Sequence, residues 1–384
     1  MKKRKTKAYI FYSVILFLVL AITVILRTDV IENLFKGRIE KFITDKTGIH
    51  ISIGKIDVSI LSSSVTLSSL DLKGNGAYHA DIGKLTVVFE PPSILKKKPE
   101  LKLVSLHDAK IALVISNKLP GKMHGKTPEF DMRAIEAMLP VTIRQVVFKN
   151  TALSISIPGS GTGIEAKNVS MSLYPEPGRN KLSGVIDAKG VSLSRYGSTF
   201  SLSDGQFSGA IRNRDVSINS LRLNSSALHL VMSGNINDYD NPNLDVRVKA
   251  SVDDVQQFDA FIKTFPIPIP GMSGSYTFNG TVKGSILNPS SAGDISFRDM
   301  EIAHIKGGTG DLSYVFKSKK LSIKKADVSI ADGTVQLSGS VDFSDNGLPA
   351  EFIVERLKAD STRYILLEML IRNLNGFPYS MIFS

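Results

Sequence analysis

From Ile49 onward the chain alternates apolar and polar residues with a period of two, in run after run. Ile49, Ile51 and Ile53 form the first run, and Gly54 then shifts the parity so that Ile56, Val58 and Ile60 continue it. The same rule gives Val65 and Leu67, then Leu85, Val87 and Phe89, then Ile111, Leu113 and Ile115. It continues through Leu153, Ile155 and Ile157, then Val169, Met171 and Leu173, then Leu228, Leu230 and Met232. Leu244, Val246 and Val248, then Leu312, Tyr314 and Phe316, and finally Val335 and Leu337 complete the series. The intervening residues are mostly Ser, Thr, Lys and Asp. Successive side chains of a strand point to opposite faces, so each run is a strand with one apolar and one polar face. Short strands of this kind separated by Gly, Asn and Asp turns predict an antiparallel sheet built by meander.

Composition agrees with that reading. There are 45 serines and 30 glycines among 384 residues, and β-branched residues are frequent. The length suffices for a sizeable core without a metal or disulfide staple. The absence of Cys excludes disulfides, thiolate metal sites and cysteine nucleophiles.

The net charge of +11 is unevenly placed. Lys2, Lys3, Arg4, Lys5 and Lys7 open the chain, and the uncharged run AYIFYSVILFLVLAITVIL follows from Ala8 to Leu26. That run is close to the roughly 20 residues a helix needs to span a bilayer. It exceeds the apolar core of an ordinary signal peptide, and no small-residue cleavage site follows it. We therefore expect residues 1–7 to be a cytoplasmic basic stub, 8–26 an uncleaved transmembrane anchor, and the bulk of the chain to lie beyond the membrane. The five basic residues are then a topology signal. Lys96, Lys97 and Lys98 read as a solvated loop, with weak contact to anionic lipid as the sharper alternative. Nucleic-acid binding is not expected, because no basic stripe carries interleaved aromatics.

Residues 30–47 place Ile31, Leu34, Phe35, Ile39, Phe42 and Ile43 at helical spacing with charges opposite. This amphipathic helix fits a cap on a sheet or a helix lying on the membrane surface. The strands then divide into an N-terminal β region at 49–157 and a middle β region at 158–248. Helical spacing returns in PEFDMRAIEAML, with Ile135, Met138 and Leu139. It returns again from Val252 through Val255, Phe258, Phe261 and Ile262, and near Tyr364, Leu367, Leu370 and Ile371. The last two segments align at an offset of about 109 residues, which predicts a repeat unit at 249–358 and a second one beginning at 359–384. That second unit stops early, so the chain reads as a piece of a longer repeat protein, with a terminal cap as the alternative.

Candidate catalytic chemistry is sparse. PGKMHGKT at 120–127 ends like a phosphate loop, but Pro120 holds the first glycine position and removes an N–H at the rim. GSGTG at 159–163 lacks dinucleotide spacing and reads as a hairpin turn. His50, His79, His107, His124, His229 and His304 are scattered without metal-ligand spacing. No nucleophile elbow is present. We expect no enzyme activity, no cofactor and no metal.

The long apolar face remains. Packed against a second sheet it would form a barrel or sandwich core. Left open on a curved sheet it would form a groove, and extended apolar surface marks binding sites. The groove reading assigns its lining to Ile51, Ile53, Leu85, Val87, Phe89, Ile111, Leu113, Ile115, Leu153, Ile155, Met171, Leu228, Leu230, Val246, Phe278, Tyr314 and Leu337. The expected fold class is mainly β: an N-terminal transmembrane helix and an amphipathic helix, then an elongated, curved antiparallel sheet with a few short helices.

The order of parts resembles a known family. A basic start, one anchor and an amphipathic helix lead into GIHISIGKIDVSILSSSVTLSSLDLKG; LPVTIRQVVFKNTALSISI at 139–157 follows; SGSYTFNGTVKGSILNPSSAGDISFRDMEI at 273–302 comes later. Together these resemble the AsmA-like superfamily, including its TamB-type proteins. The resemblance implies an inner-membrane anchor in a Gram-negative bacterium, a periplasmic repeating β-groove, and phospholipid movement toward the outer membrane. It also implies a second role, as a scaffold for translocation and assembly of outer-membrane β-barrel or autotransporter proteins. It carries over no catalytic residue.

Overall fold

The computed structural model describes residues 36–38, 40–41, 44–45, 50–59, 61–74, 78–93, 98–114, 130–138, 141–158, 161–239, 241–255, 272–302, 305–330, 333–342, 350–358 and 379–383. The basic stub, the 8–26 span, Ile115, the 120–127 loop and the segments at 256–271 and 359–371 lie outside them. Among the described residues, no helix is long and apolar enough to cross a membrane.

The described chain is mainly β and predominantly antiparallel, as the alternation predicts. It divides into two compact units. The first comprises residues 1–116, 136–156 and 168–174; the second comprises 117–135, 157–167 and 175–384.

In the first unit β1 (His50–Ser59), β2 (Ser64–Gly74), β3 (Tyr78–Phe89) and β4 (Glu100–Val114) form an antiparallel meander. The chain then crosses over and returns as β5 (Thr142–Ile143) and β6 (Val146–Ile157), both parallel to β4. β7 (Thr162–Glu176) contributes residues to each unit. In the second unit β8 (Lys181–Arg195), β9 (Ser198–Arg212), β10 (Asp215–Asn224), β11 (Leu228–Asn237) and β12 (Asn243–Val252) pair in sequence order. So do β13 (Met272–Ser285), β14 (Ser290–Ile302), β15 (Ile305–Lys317), β16 (Lys320–Ile330), β17 (Gly333–Asp342) and β18 (Ala350–Lys358). β19 (Tyr379–Phe383) closes the series and pairs in parallel with β18. Val252, expected to open a helix, instead ends β12 opposite Tyr276, because the alternation of Leu244, Val246 and Val248 extends through it.

One helix of the described residues matches its sequence pattern. α1 (Met132–Met138) follows Asp131, whose Oδ1 accepts hydrogen bonds from the backbone N–H of Arg133 and Ala134. That is N-cap geometry, satisfying amides that have no intrahelical acceptor. The segment entering α1 ties down hairpin ends of the second unit. The N–H of Met132 donates to Asn180 Oδ1, and that of Phe130 donates to the Tyr239 hydroxyl.

The strands of the first unit share a transverse crease. Ser69, Asp108 and Asn150 have φ of 54°, 52° and 51°, in the left-handed region. The registers place Gly54 opposite Ser69, Ser69 opposite Gly83, and Gly83 opposite Asp108. Asn150 sits opposite Asp108 on β6 and its amide donates to the Asp108 carboxylate. Each strand reverses its side-chain parity at this row, so the apolar residues on both sides of it stay on one face. Glycine is needed on β1 because a Cβ at Gly54 would lie 2.8 Å from Ser69 Cβ and 2.9 Å from Ser68 O.

The crease makes opposite predictions for its two kinds of residue. Gly54→Val should destabilise the fold by about 1–3 kcal/mol through that overlap. Ser69→Gly should leave stability unchanged or raise it by up to about 1 kcal/mol, since glycine enters the left-handed region freely. Urea unfolding followed by circular dichroism distinguishes them; a Gly54→Val protein as stable as the parent would remove the crease from the account.

Candidate functional site: the apolar face of the strands

Residues directly opposite in a paired ladder share a face, so the registers can be read as rows crossing the strands. In the first unit one row joins Ile51, Leu72, Ala80, Ile111 and Leu153. The next joins Ile53, Leu70, Ile82 and Ala109, all buried, and these four form the centre of the hydrophobic cluster. Beyond the crease lie Ile56, Leu67, Leu85 and Leu106, and then Val58, Val65, Val87 and Val104. Tyr78, Leu113 and Ile155 form a row at one margin, and Phe89 pairs with Leu101 at the other. Met171 is half-buried on β7.

In the second unit the rows are longer. Leu223, Leu230, Ala250, Phe278, Ile295, Leu312, Ala326 and Leu337 are successive partners across eight strands, β10 to β17. A second row runs through Met232, Val248, Gly280, Gly293, Tyr314 and Ile323. Leu228 shares a row with Val252, Tyr276 and Phe297. Val246 shares one with Ile218 and Val282. Bulges on β10 and β16 hold this phase. Ile218 and Leu221 are three residues apart yet face Gly234 and Met232, two apart. Ile323 and Ala326 similarly face Gly339 and Leu337. A bulge adds one residue and so restores the face that an odd spacing would lose.

All the proposed lining residues within the described chain therefore lie on strands, and, Met171 apart, the registers bring those of each unit into neighbouring rows. The prediction missed Leu70, Ile82 and Ala109 at the centre of the first cluster. Their signal was present: Leu67 and Leu70 are separated by Ser68–Ser69, Ile82 and Leu85 by Gly83–Lys84, and Leu106 and Ala109 by His107–Asp108. A strict period of two stops at each of these breaks.

Aromatic rings smooth the face over its glycines. A Cβ at Gly280 would lie 2.8 Å from Phe278 Cζ, one at Gly310 2.9 Å from Phe297 Cζ, and one at Gly209 2.6 Å from Phe207 Cζ. Each ring thus covers a glycine, restoring the apolar contact that glycine lacks. Phe278 and Tyr314 approach with ring centroids 6.3 Å apart at a tilt of 34°. Burial alone pushes the Tyr276 phenol up from its ordinary value, and its hydroxyl donates to Ser273 O. The long row of the second unit is not sealed along its length. Leu223, Leu230, Phe278, Ile295, Leu312 and Leu337 are all half-buried although each has strand neighbours on both sides.

The opposite face is polar. Lys249, Asn279, Asp294 and Ser313 are successive partners there, and the hydroxyl of Ser313 donates to Asp294. On β1 the backbone N–H of Ile53 donates to Glu40 Oε1 at 2.7 Å. Glu40 lies in the amphipathic 30–47 segment, whose described residues are helical. The contact joins Glu40 to β1.

One cluster departs from the sequence expectation for metals. Asp71 on β2 and Asp81 on β3 are direct partners, and His79 Nε2 lies 3.0 Å from Asp71 and 3.4 Å from Asp81. The three offer ligand atoms within 4.8 Å of one another. Sequence spacing hid the group because Asp71 lies across a hairpin from the other two. The Lys73 ammonium already bonds Asp71 at 2.5 Å, and the side chains are solvent-exposed, so an ion would have to displace a bound cation. Comparison with family models and with curated proteins finds no match to this chain.

The hydrogen bond from Lys73 holds the Asp71 carboxyl below its ordinary value of 3.8, aided by His79. A folded-state value below the unfolded one contributes stability above the ordinary carboxylate range and loses it as pH falls through the folded value. Side-chain NMR titration should place the Asp71 midpoint below 3.8 and return it upward in Lys73→Gln; an unchanged midpoint in that variant would refute the pairing.

Proposed function

We propose that this chain is a membrane-anchored, periplasmic β-groove protein of AsmA-like type, tethered to the inner membrane by residues 8–26. On this reading it binds phospholipid acyl chains along its apolar face, shuttles them between the inner and outer membranes and supports outer-membrane biogenesis. It needs no catalytic residue or cofactor for that task. The observation that carries the reading is the half-buried state of Leu223, Leu230, Phe278, Ile295, Leu312 and Leu337 in the long row of the second unit. A sandwich core would bury Leu230, Phe278, Ile295, Leu312 and Leu337 fully, since packed interiors leave few voids. An acyl chain offers what such rows lack, a flexible apolar surface with no polar group to satisfy, at about 0.8 kcal/mol per buried CH₂.

The rows also supply continuity. Leu223 to Leu337 offers apolar side chains strand after strand, so a chain lying across the strands meets no charged residue. The flat rings of Phe207, Phe278 and Phe297 leave low relief beside it. Strand capture of a client protein finds less support at β1, because Glu40 already occupies the Ile53 N–H that an added strand would use.

The full chain, extracted in mild detergent, is expected to retain phospholipid detectable by mass spectrometry. Leu230→Arg or Leu113→Asp should lower bound lipid by about 100-fold, the cost of a charge in an apolar environment. Val231→Arg on the polar face should leave it unchanged. Equal lipid in all variants, with β-sheet circular dichroism retained, would overturn the reading.

A further inference from the structure

The hairpin ends of the second unit are not alike. At one end of its strands the turns after β9, β11, β13 and β15 lie side by side, because the strands pair in sequence order. The first two are polar, with Asn213, Arg214, Asp238 and Asn241, and are tied to the segment entering α1. Asn213 accepts from Asn180 and pairs with Phe130, while Tyr239 accepts from the Phe130 N–H.

The next two differ. The turn after β13 presents Ile286 and Leu287 to solvent, 58% and 89% exposed. They are held outward by an ordered backbone: the Ile286 N–H donates to Pro242 O and the Asn288 N–H to Ser285 O, each at 3.0 Å. The adjoining turn after β15 carries Lys317, Lys319 and Lys320, all exposed, around Ser318 and Lys319, whose positive φ defines a tight hairpin. Among the described residues none of the three lysines forms an ion pair. Asp342 is the strand partner of Lys320, and Lys283, nearby on β13, pairs with Asp245. The two turns are separated by about two strand spacings, roughly 10 Å.

We propose that this pair of turns is a docking site for an anionic phospholipid surface. Ile286 and Leu287 would enter the acyl boundary while Lys317, Lys319 and Lys320 meet headgroup phosphates. Two adjacent aliphatic side chains on a fixed turn gain by leaving water, and unpaired lysines beside them gain from negative surface charge. A nucleic acid or an acidic protein would satisfy the lysines and leave Leu287 in water, which is why a bilayer fits better. The inference stands apart from acyl-chain binding on the sheet face, since it uses none of the row residues.

The chain has no tryptophan, so an introduced one is a unique reporter. The 384-residue chain, held in phosphatidylcholine nanodiscs and carrying Leu287→Trp, would be mixed with brominated-chain vesicles. These would be phosphatidylcholine alone, or phosphatidylcholine with phosphatidylglycerol. The expected result is a blue shift and about twofold quenching with the anionic vesicles only. Tyr196→Trp, at the opposite end of the strands, should show neither change. Adding Lys317→Glu, Lys319→Glu and Lys320→Glu should weaken partitioning on the order of 100-fold, with circular dichroism unchanged. An indole at 287 that stays water-exposed with anionic vesicles would overturn the proposal, and so would equal quenching at 196. Quenching that survives the charge reversal would overturn it as well.

Discussion

The structure depends on keeping side-chain parity in phase from strand to strand. A strand offers alternate residues to alternate faces, so a shift of one residue would exchange the apolar and polar faces. Long strands accumulate twist, and a strict alternation cannot be held indefinitely. The chain answers with local exceptions that cancel across the ladder. In the first unit the exception is a continuous row, with glycines on β1 and β3 and left-handed Ser69, Asp108 and Asn150 on β2, β4 and β6. In the second unit bulges on β10 and β16 do the same. Both devices leave Ile53, Leu70, Ile82 and Ala109, or Leu223 through Leu337, on one surface.

This phase-keeping links the fold to its proposed use. A face that stays apolar across eight strands gives a flexible hydrocarbon an uninterrupted path. The glycines on that face would otherwise be notches, and the rings of Phe207, Phe278 and Phe297 cover them. The polar back is rich in Ser, Asn, Asp and Lys, and its side chains bond one another across the strands, as Ser313 does with Asp294. Energetic weight therefore sits on one side of the strands, while the turn at Ile286–Leu287 stays exposed.

Much of the fold was legible from side-chain pattern alone. The helix before Leu139 could be read from Ile135 and Met138, and Asp131 supplies its cap. Groove candidates such as Ile111, Leu113, Leu153 and Ile155 were readable because each sits in an unbroken alternation. Leu70, Ile82 and Ala109 were not, because they lie across a parity break from the runs recognised first. A strand rule with a fixed period treats such a break as an end, whereas the backbone treats it as a crease.

By itself the sequence determined the type of strand, the existence of one apolar face, the exclusion of cysteine chemistry and the placement of charge at the amino terminus. These follow from local spacing and residue chemistry. Only the tertiary structure decided which residues become neighbours. It set Asp71 beside His79 and Asp81 across a hairpin, joined Glu40 to the N–H of Ile53, and placed the aliphatic turn at Ile286–Leu287 next to the lysines of the β15–β16 turn. The physical reason is register: strand pairing brings together residues far apart in the chain, and a period of two carries no information about which strand lies alongside or where its pairing begins.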